Sequence, residues 1–395
     1  MMIRKLTTPE EAARADELFA IAFEQPLTRP CEPDGDGTHR WAAFDDQTGE
    51  MTGNLVVTDF SIRFDGKSAK MGGVGGVASL PQYRRHGGIR GCFEAMLPDM
   101  YENGYDFSYL YPFSTGYYRK FGYECCVQKY HTAVDLGLLN PPAPEGFFRL
   151  AEPGRPLTGD IRAVDAVWEN RYNMMAIHGE NDYKWTEKAD PAAKQEFTYV
   201  YYDTGGSPKA YATFAKADEA DGRNLICSRF FFTDRGSFSG LMTLFKSFSA
   251  DHRFVKFTLP TQTAMQYLMP EWSQGAAAWT VQNAGMVRVI RVKNVLEKAA
   301  YLGDGAVTLQ IRDPQIEQND RAFAVRFAGG RAVSVEETAA PPDAELSIAA
   351  FSALISGVCD FAEAKDWMNG IKVRQNDGVL PRVFYRKPLM IADYF

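Results

Sequence analysis

The sequence predicts an α+β protein in which two mixed-sheet domains of one kind are followed by a smaller α+β domain. Three observations predict this arrangement. The 395 residues suit two or three domains of ordinary size. Helix and strand patterns occur twice in the same order, which indicates a tandem repeat. A different pattern of alternating strands begins near residue 285 and indicates a third domain.

The first repeat, up to about residue 135, has the predicted order β-α-β-β-β-α-β-α. Its first helix begins at Thr8 and Pro9, which are followed by two acidic residues, a combination typical of helix N-termini. A second helix is predicted over 89–101, where Pro98 should kink or shorten it. Gly122 should end a last short helix. The predicted strands after the first helix are 41–46, 51–64, 70–80 and 105–113.

A stretch rich in proline and glycine, residues 135–160, is interpreted as the linker between the repeats. The second repeat again has three strands followed by an amphipathic helix. Asp234 stands in the loop before that helix, where the first repeat has arginines, so we expect the second copy to be structural. The predicted domains are residues 1–137, 138–284 and 285–395.

The composition is that of a globular protein and excludes some partners. Hydrophobic residues make up 45% and charged residues 24% of the chain. With 43 basic and 50 acidic residues the net charge is −7, so no global positive field attracts nucleic acid or an anionic membrane. We therefore expect neither as a partner, and a cationic partner or substrate is easier to accommodate.

The remaining composition predicts a cytoplasmic protein without a metal centre. The N-terminus has no apolar export signal, and no run approaches the roughly 18 apolar residues that cross a bilayer. The six cysteines form no CxxC pair, and the five histidines form no HxH or HxxxH pair. We expect reduced, inert cysteines and no bound metal.

One turn of the first repeat points to phosphate binding. A strand rich in glycine and valine runs into Arg84, Arg85, Gly87 and Gly88, and a helix follows at once. A helix N-terminus presents unpaired N–H groups and a partial positive charge, and glycines let a pyrophosphate approach them. Glycines in such turns are also often packing residues, so the turn alone is weak support.

The strand before this turn offers a second binding element. The backbone edge near Val77 and Ser79 could pair with an amide-bearing ligand as an added strand does. The glycine-lysine signature of a P-loop is absent. A GxGxxG turn with a downstream ribose-binding acid is absent too, which disfavours a dinucleotide fold.

The segment V-A-S-L-P-Q-Y-R-R-H-G-G-I, residues 77–89, resembles motif A of the GCN5-related N-acetyltransferases (GNAT). Arg84 and Gly87 are in register, whereas Ile89 stands at a position that is usually small. With this departure, the segment is similar to that of the enhanced-intracellular-survival (Eis) type of these enzymes. The segment Y-Y-R-K-F-G-Y-E, residues 117–124, is similar to motif B. The Eis type also has a GNAT unit, a degenerate second unit and a sterol-carrier-like third domain, so the resemblance extends along the whole chain.

The resemblance implies the residues of the site. Tyr118 matches the tyrosine that protonates the departing coenzyme A thiolate, and the α-carboxylate of Phe395 would be the base. The apolar, aromatic ending LMIADYF fits a docked tail, and a strand end that simply packs is the alternative. Acetyl-CoA would lie along Val77, Ala78 and Ser79, with its pyrophosphate at Arg84, Arg85, Gly87, Gly88 and Ile89. Apart from the resemblance, the acids of the first domain that could orient an amine are Glu24, Glu32, Asp34, Asp36 and Glu124, and solvated surface is the favoured interpretation of each.

The implied function is acetyl-CoA-dependent N-acetyl transfer to an amine of a cationic small molecule, such as an aminoglycoside-like acceptor. The resemblance also implies a homo-oligomer, a hexamer in the family. Two alternatives stay open: a protein that binds a lipid or another apolar ligand on a structural GNAT scaffold, and a transferase that uses a longer acyl donor.

Overall fold

The computed structural model describes residues 1–27, 37–143, 145–269, 275–375 and 378–394. In chain order the strands are β1 (Met2–Lys5), β2 (Thr38–Phe44), β3 (Met51–Phe64), β4 (Lys67–Ser79), β5 (Phe107–Leu110), β6 (Glu124–Asp135), β7 (Phe147–Leu150), β8 (Glu196–Tyr202), β9 (Pro208–Glu219), β10 (Gly222–Phe232), β11 (Phe254–Pro260), β12 (Ala277–Val289), β13 (Gly305–Arg312), β14 (Ala322–Ala328), β15 (Arg331–Thr338), β16 (Ala344–Ser347) and β17 (Ile371–Val373).

Helices form where apolar residues recur every three or four positions. No helix among the described residues is long and apolar enough to cross a membrane. The helices are α1 (Pro9–Phe23), α2 (Gly88–Glu102), α3 (Thr115–Tyr118), α4 (Thr158–Arg171), α5 (Lys184–Glu187), α6 (Pro191–Lys194), α7 (Arg235–Lys246), α8 (Met265–Leu268), α9 (Val292–Lys298), α10 (Ile348–Ser356), α11 (Phe361–Trp367) and α12 (Leu380–Val383).

The predicted helix boundaries of the first repeat are largely confirmed. The hydroxyl of Thr8 accepts a hydrogen bond from the backbone N–H of Glu11 at 3.3 Å, so α1 begins where predicted. Gly122, at φ 79°, ends the short helical turn that follows α3. Of the two effects expected of Pro98, the shortening of α2 is wrong, because α2 continues to Glu102, and a kink stays a prediction. A continuous buried face on both sides of Pro98 outweighs its cost of about 3 kcal/mol.

The chain folds as two compact units. The first contains residues 1–127, 284–387 and the tail from 391, and the second contains residues 128–283 and 388–390. The chain passes from one unit to the other within β6 and within β12. The division into three domains at 137 and 284 stays a prediction.

The first unit contains a mixed sheet with strand order β1-β2-β3-β4-β5-β12. Neighbouring strands are antiparallel except β4 and β5, which are parallel. Helix α1 covers one face, where Ala15 and Leu18 pack with Ala42 and Ala78. Helix α2 covers the other face. Its buried side chains include Phe93, Met96, Leu97 and Met100. They pack against Leu55 and Val57 on β3 and Val74 on β4.

A second sheet of this unit, in the order β15-β14-β13-β16-β17, confirms the α+β character of the C-terminal region. Only β13 and β16 are parallel. Helix α10 packs against both of them and is buried at every position except Ala349. The hydroxyl of Ser352 on α10 accepts a hydrogen bond from the N–H of Val289 on β12 at 2.8 Å. Helix α10 is therefore bound to the first sheet as well as to its own.

The second unit repeats the order of the first, with β7, α4, three antiparallel strands, α7 and β11. Its strand order is β11-β10-β9-β8-β7, and β10 and β11 are parallel. Phe147–Leu150 pairs with β8, so the prediction that 135–160 is a linker throughout is wrong at this point. An edge strand needs only one partner, and the proline-rich flanks concealed it.

Candidate active site

Strand β4 carries a β-bulge in the middle of the predicted binding segment. Asn54 on β3 pairs with Ala78, whereas Val56 pairs with Gly75, so β4 has one residue more than β3 between these pairs. Gly76 lies in this bulge with φ 55°, a backbone conformation that glycine adopts without strain. The bulge bends β4 and changes the direction of the residues that follow.

Beyond the bulge, β4 leaves its parallel neighbour β5. The pairing of β4 with β5 ends at Val74 and Leu110, so no described strand pairs with this edge of β4 at residues 75–79. Val77 is half-buried on the α2 side, and the hydroxyl of Ser79 donates to the carbonyl of Thr52 at 3.3 Å. The exposed edge can hydrogen-bond an extended amide chain, as predicted for Val77 and Ser79.

The N-terminus of α2 follows directly and has no side-chain cap. Gly87 precedes it at φ 91°, where a residue with a Cβ atom would be strained. Gly88 lies against β2, because an added Cβ would come within 3.0 Å of the Ala43 side chain and 3.1 Å of the Met1 sulfur. The helix geometry leaves the N–H groups of Gly88 and Ile89 without backbone acceptors. This arrangement is suited to an anion.

Arginines surround this helix start. The side chains of Arg84, Arg85 and Arg90 are exposed, and none of the three forms a salt bridge within the described residues. Arg85 is held at φ 68°, which is uncommon for a residue with a side chain. The backbone and the guanidinium groups together favour a strongly negative ligand.

The corresponding helix of the second unit is closed. The carboxylate of Asp234 accepts a hydrogen bond from the N–H of Ser237 at 2.8 Å, and the hydroxyl of Ser237 accepts from the N–H of Asp234 at 3.1 Å. A carboxylate at α7 occupies the position that an anionic ligand would need. The two helix starts therefore differ in charge and in capping, as the sequence predicted.

Tyr118 lies at the end of α3, inside a cluster of aromatic rings. Its ring centroid is 5.8 Å from that of Phe93, 5.3 Å from that of Phe113 and 5.3 Å from that of Tyr117. The hydroxyl has no hydrogen-bond partner among the described residues. Burial, with Tyr117 and Tyr123 close by, raises the pKa of Tyr118 above its ordinary value. The phenol is therefore protonated at neutral pH and can act as a proton donor.

The C-terminal tail is attached just beyond β5. The hydroxyl of Tyr111, the residue after β5, donates to the carbonyl of Asp393 at 2.5 Å. The ring of Tyr394 stacks on that of Tyr111 with 4.7 Å between the centroids. Phe395, the predicted base, lies outside the described residues. The two residues before it are held against Tyr111, in the segment between β5 and α3.

Two of the five acidic residues considered for amine orientation lie among the described residues. Glu124 accepts hydrogen bonds from Arg119 at 2.7 and 3.0 Å, so its charge is already paired. Glu24 is exposed where α1 ends. Glu32, Asp34 and Asp36 lie outside the described residues.

Sequence reasoning missed a buried ion pair beneath the Tyr118 turn. Arg288 on β12 and Asp313 are both fully buried, with 2.7 Å between Nη2 and Oδ1. Nη1 of Arg288 would lie 2.8 Å from a Cβ added to Gly122, so only glycine fits there. Gln315 donates to the carbonyl of Lys120 at 2.9 Å. The signal was an arginine inside the apolar run 286–290.

Family comparisons agree with this geometry. The sequence model of the acetyltransferase (GNAT) domain family matches residues 3–126, a range that includes the bulge, the start of α2 and Tyr118. The chain carries a GNAT acetyltransferase domain. A sterol carrier protein domain matches residues 292–378, so both of the resemblances read from the sequence are confirmed. The match to this domain supports acetyltransferase activity, with acetyl-CoA as the implied co-substrate. No curated protein matches the sequence significantly.

Solved structures share the fold along the full length of the chain. A protein of unknown function from Enterococcus faecalis, described as a probable N-acyltransferase, has a TM-score of 0.84 at 20% identity. A GCN5-related N-acetyltransferase from Anabaena variabilis has a TM-score of 0.83 at 16% identity. Eis1 from Mycobacterium abscessus has a TM-score of 0.81 at 16% identity. In each comparison 100% of both chains is covered, and at these identities the likeness establishes the fold.

Proposed function

We propose that the GNAT domain transfers the acetyl group of acetyl-CoA to an amine of a cationic small molecule. The observation that carries this proposal is the uncapped, arginine-flanked start of α2 beside the bulged edge of β4. The three-domain division at 137 and 284 is part of the proposal, with the second, degenerate unit as scaffold.

The residues present fit acetyl-CoA. Its pyrophosphate would be held by the N–H groups of Gly87, Gly88 and Ile89, with Arg84 and Arg85 supplying charge. The pantetheine amides would pair with the backbone of 77–79, on the edge of β4 that β5 leaves unpaired, as an added strand does. The side chain of Ala78 is buried, so the contact there is with its backbone.

The transfer is a direct attack of the amine on the thioester carbonyl. Backbone N–H groups near the bulge can stabilise the oxyanion that forms. As the carbon–sulfur bond breaks, the sulfur takes the proton of Tyr118. Burial raises the pKa of a thiol as well as that of a phenol. The two pKa values therefore stay similar when water is excluded from the site, and the proton can pass from the phenol to the sulfur. Holding both reactants in place supplies up to about 7–11 kcal/mol.

The α-carboxylate of Phe395 is proposed as the base. The attachment of Asp393 and Tyr394 to Tyr111 supports this role, because it holds Tyr394 against the segment that leads from β5 to the Tyr118 turn. A free α-carboxyl has a pKa near 3.5, so burial or a relaying water is needed for it to accept a proton from an ammonium.

The acceptor is proposed to be cationic, such as an aminoglycoside-like amine. The net charge of −7 favours a cation over an anion. The exposed ring of Phe113, next to Tyr118, offers an apolar and π surface for a bound cation. A homo-oligomer, a hexamer by resemblance, stays a prediction.

The C-terminal sheet and α10 are proposed to brace the site. Helix α10 occupies the interior between β13, β16 and β12 with almost all of its residues buried, so the apolar interior of this region is filled by its own side chains. This packing supports bracing over lipid carriage. A longer acyl donor stays an alternative.

The test is steady-state thiol release from acetyl-CoA with a panel of amines. Tyr118→Phe should lower kcat by about 10-fold to 1,000-fold because the sulfur loses its proton donor, with the Kd of acetyl-CoA unchanged. Tyr117→Phe is the matched control and should retain wild-type kcat. One residue added after Phe395 should lower kcat too. Equal kcat in wild type and Tyr118→Phe would remove Tyr118 from the mechanism.

A further inference from the structure

A buried carboxamide lies beside the β4 bulge, on a strand that the mechanism above does not use. Asn54 on β3 is 1% exposed. Neither its Nδ2 nor its Oδ1 has a hydrogen-bond partner among the described residues. Buried amides are almost always hydrogen-bonded, because an unpaired one loses its hydration without replacement. A residue kept in this state therefore calls for an explanation.

The side chains across from Asn54 on the neighbouring strands cannot hydrogen-bond it. Ala42 on β2 and Ala78 on β4 are its direct cross-strand neighbours and point to the same face. Both are small and apolar, and both belong to the cluster that packs against Ala15 and Leu18 of α1. The side chains directly across from the carboxamide therefore offer it no donor or acceptor.

The second unit contains the same arrangement in a closed form. Its strand β10 also shifts register, and Arg229 beyond the shift pairs with Thr213 on β9, as Ala78 pairs with Asn54. Thr198 on β8 occupies the position that Ala42 has in the first unit. The hydroxyls of Thr198 and Thr213 hydrogen-bond each other at 2.9 Å. In the second unit, whose helix start is capped by a carboxylate, the two threonine hydroxyls hydrogen-bond each other. In the first unit, whose helix start is open, Asn54 has no such partner among the described residues.

We propose that Asn54 is a positioning residue for the acetyl transfer, an inference that rests on the proposed function. A bulge leaves its extra residue outside the regular ladder, so polar backbone groups of 75–78 need partners. The carboxamide both donates and accepts, and a buried water can link it to these groups. Through that link Asn54 sets the orientation of the backbone N–H groups that face the thioester carbonyl.

The test compares the activity and the melting temperature of an Asn54→Leu variant. Leucine has a similar size and no polar atoms, so it relieves the unpaired amide and should leave Tm unchanged or raised. The same variant should lower kcat by about 10-fold to 100-fold, because the N–H groups lose their fixed orientation. The Kd of acetyl-CoA should change much less than kcat, since the pyrophosphate contacts at the start of α2 are untouched.

Two further variants separate positioning from structure. Asn54→Thr retains one hydroxyl and should recover part of the lost kcat. Thr213→Val is the matched control, because it breaks the paired hydroxyls of the second unit. It should lower Tm and leave kcat unchanged.

The outcomes distinguish this inference from the proposal beneath it. An active wild type with equal kcat in Asn54→Leu overturns the role of Asn54 alone. The role of Asn54 is also overturned, in favour of a structural role, if Asn54→Leu lowers both Tm and kcat and Asn54→Thr recovers none of the lost kcat. A wild type that releases no thiol with any amine overturns the proposed function and this inference together.

Discussion

Replacing either member of the buried Arg288–Asp313 pair should destabilise the protein, and the two replacements should differ. Both side chains are 0% exposed. Besides Arg288, Asp313 accepts hydrogen bonds from Gln315 N at 3.1 Å, Ile316 N at 3.2 Å and Asn319 Nδ2 at 2.9 Å. Arg288 depends more on its partner, because its Nε and Nη1 have no partner among the described residues.

The magnitudes follow from this asymmetry. Asp313→Asn leaves a buried guanidinium without its anion, and removing one partner of a buried pair costs about 3–5 kcal/mol. A cost of this size lowers Tm by roughly 6–20 °C in a unit of 150–250 residues. Arg288→Met leaves the carboxylate with three N–H donors, so its cost should be smaller, about 1–3 kcal/mol. Both changes keep the side-chain volume similar, so cavity effects stay small.

The assay is thermal unfolding of the two single variants and of the double variant Arg288→Met with Asp313→Leu, followed by calorimetry at pH 7. The double variant should melt above Asp313→Asn, because no unpaired charge is left in the interior. An Arg288→Met variant that melts below Asp313→Asn would refute the asymmetry. Equal Tm values in all three variants and wild type would refute the burial of the pair itself.

Two more predictions concern the helix start and the second unit. Gly87→Ala should weaken acetyl-CoA binding several-fold, because alanine at φ 91° costs about 1–2 kcal/mol and shifts the N–H groups at the start of α2. The control is Gly159→Ala, because Gly159 has open space around it. This variant should leave the Kd of acetyl-CoA, measured by calorimetry, unchanged. Burial raises the pKa of Asp165 to about 6 from 3.8, although the hydroxyls of Tyr183 and Tyr211 donate to it. The folded state then binds this proton more tightly than the unfolded state, so its stabilising contribution is complete below pH 3.8 and is lost as the pH rises through 6. Relative to Asp165→Asn, wild type should become more stable as the pH falls from about 7 to 4, measured by urea unfolding, and parallel curves would contradict this.

Local chemistry made several features readable from the sequence. Thr8 and Pro9 mark the start of α1 because a cap and a fixed φ act within one helical turn. The glycines before α2 mark a left-handed turn and a close approach for the same reason. Tyr118 could be named because its motif is contiguous. The short strand β7 was missed because its flanking prolines outweighed a four-residue signal.

Other features depend on residues that only folding brings together. The tail contact between Tyr111 and Asp393 joins segments 282 residues apart, and no local pattern predicts it. The unpaired state of Asn54 depends on which residues of β2 and β4 come to lie beside it, a choice made by strand register.

The amino-acid sequence by itself determined most helices and strands of the first repeat, the repeat itself, the open helix start and the identity of the proposed proton donor, because each depends on neighbours along the chain. The tertiary structure alone decided which side chains are buried, which charged groups form ion pairs and which polar groups are left without a hydrogen bond. Burial and pairing are properties of the surroundings, and in this protein the surroundings of the site come from strands and a C-terminal region that are distant in the sequence.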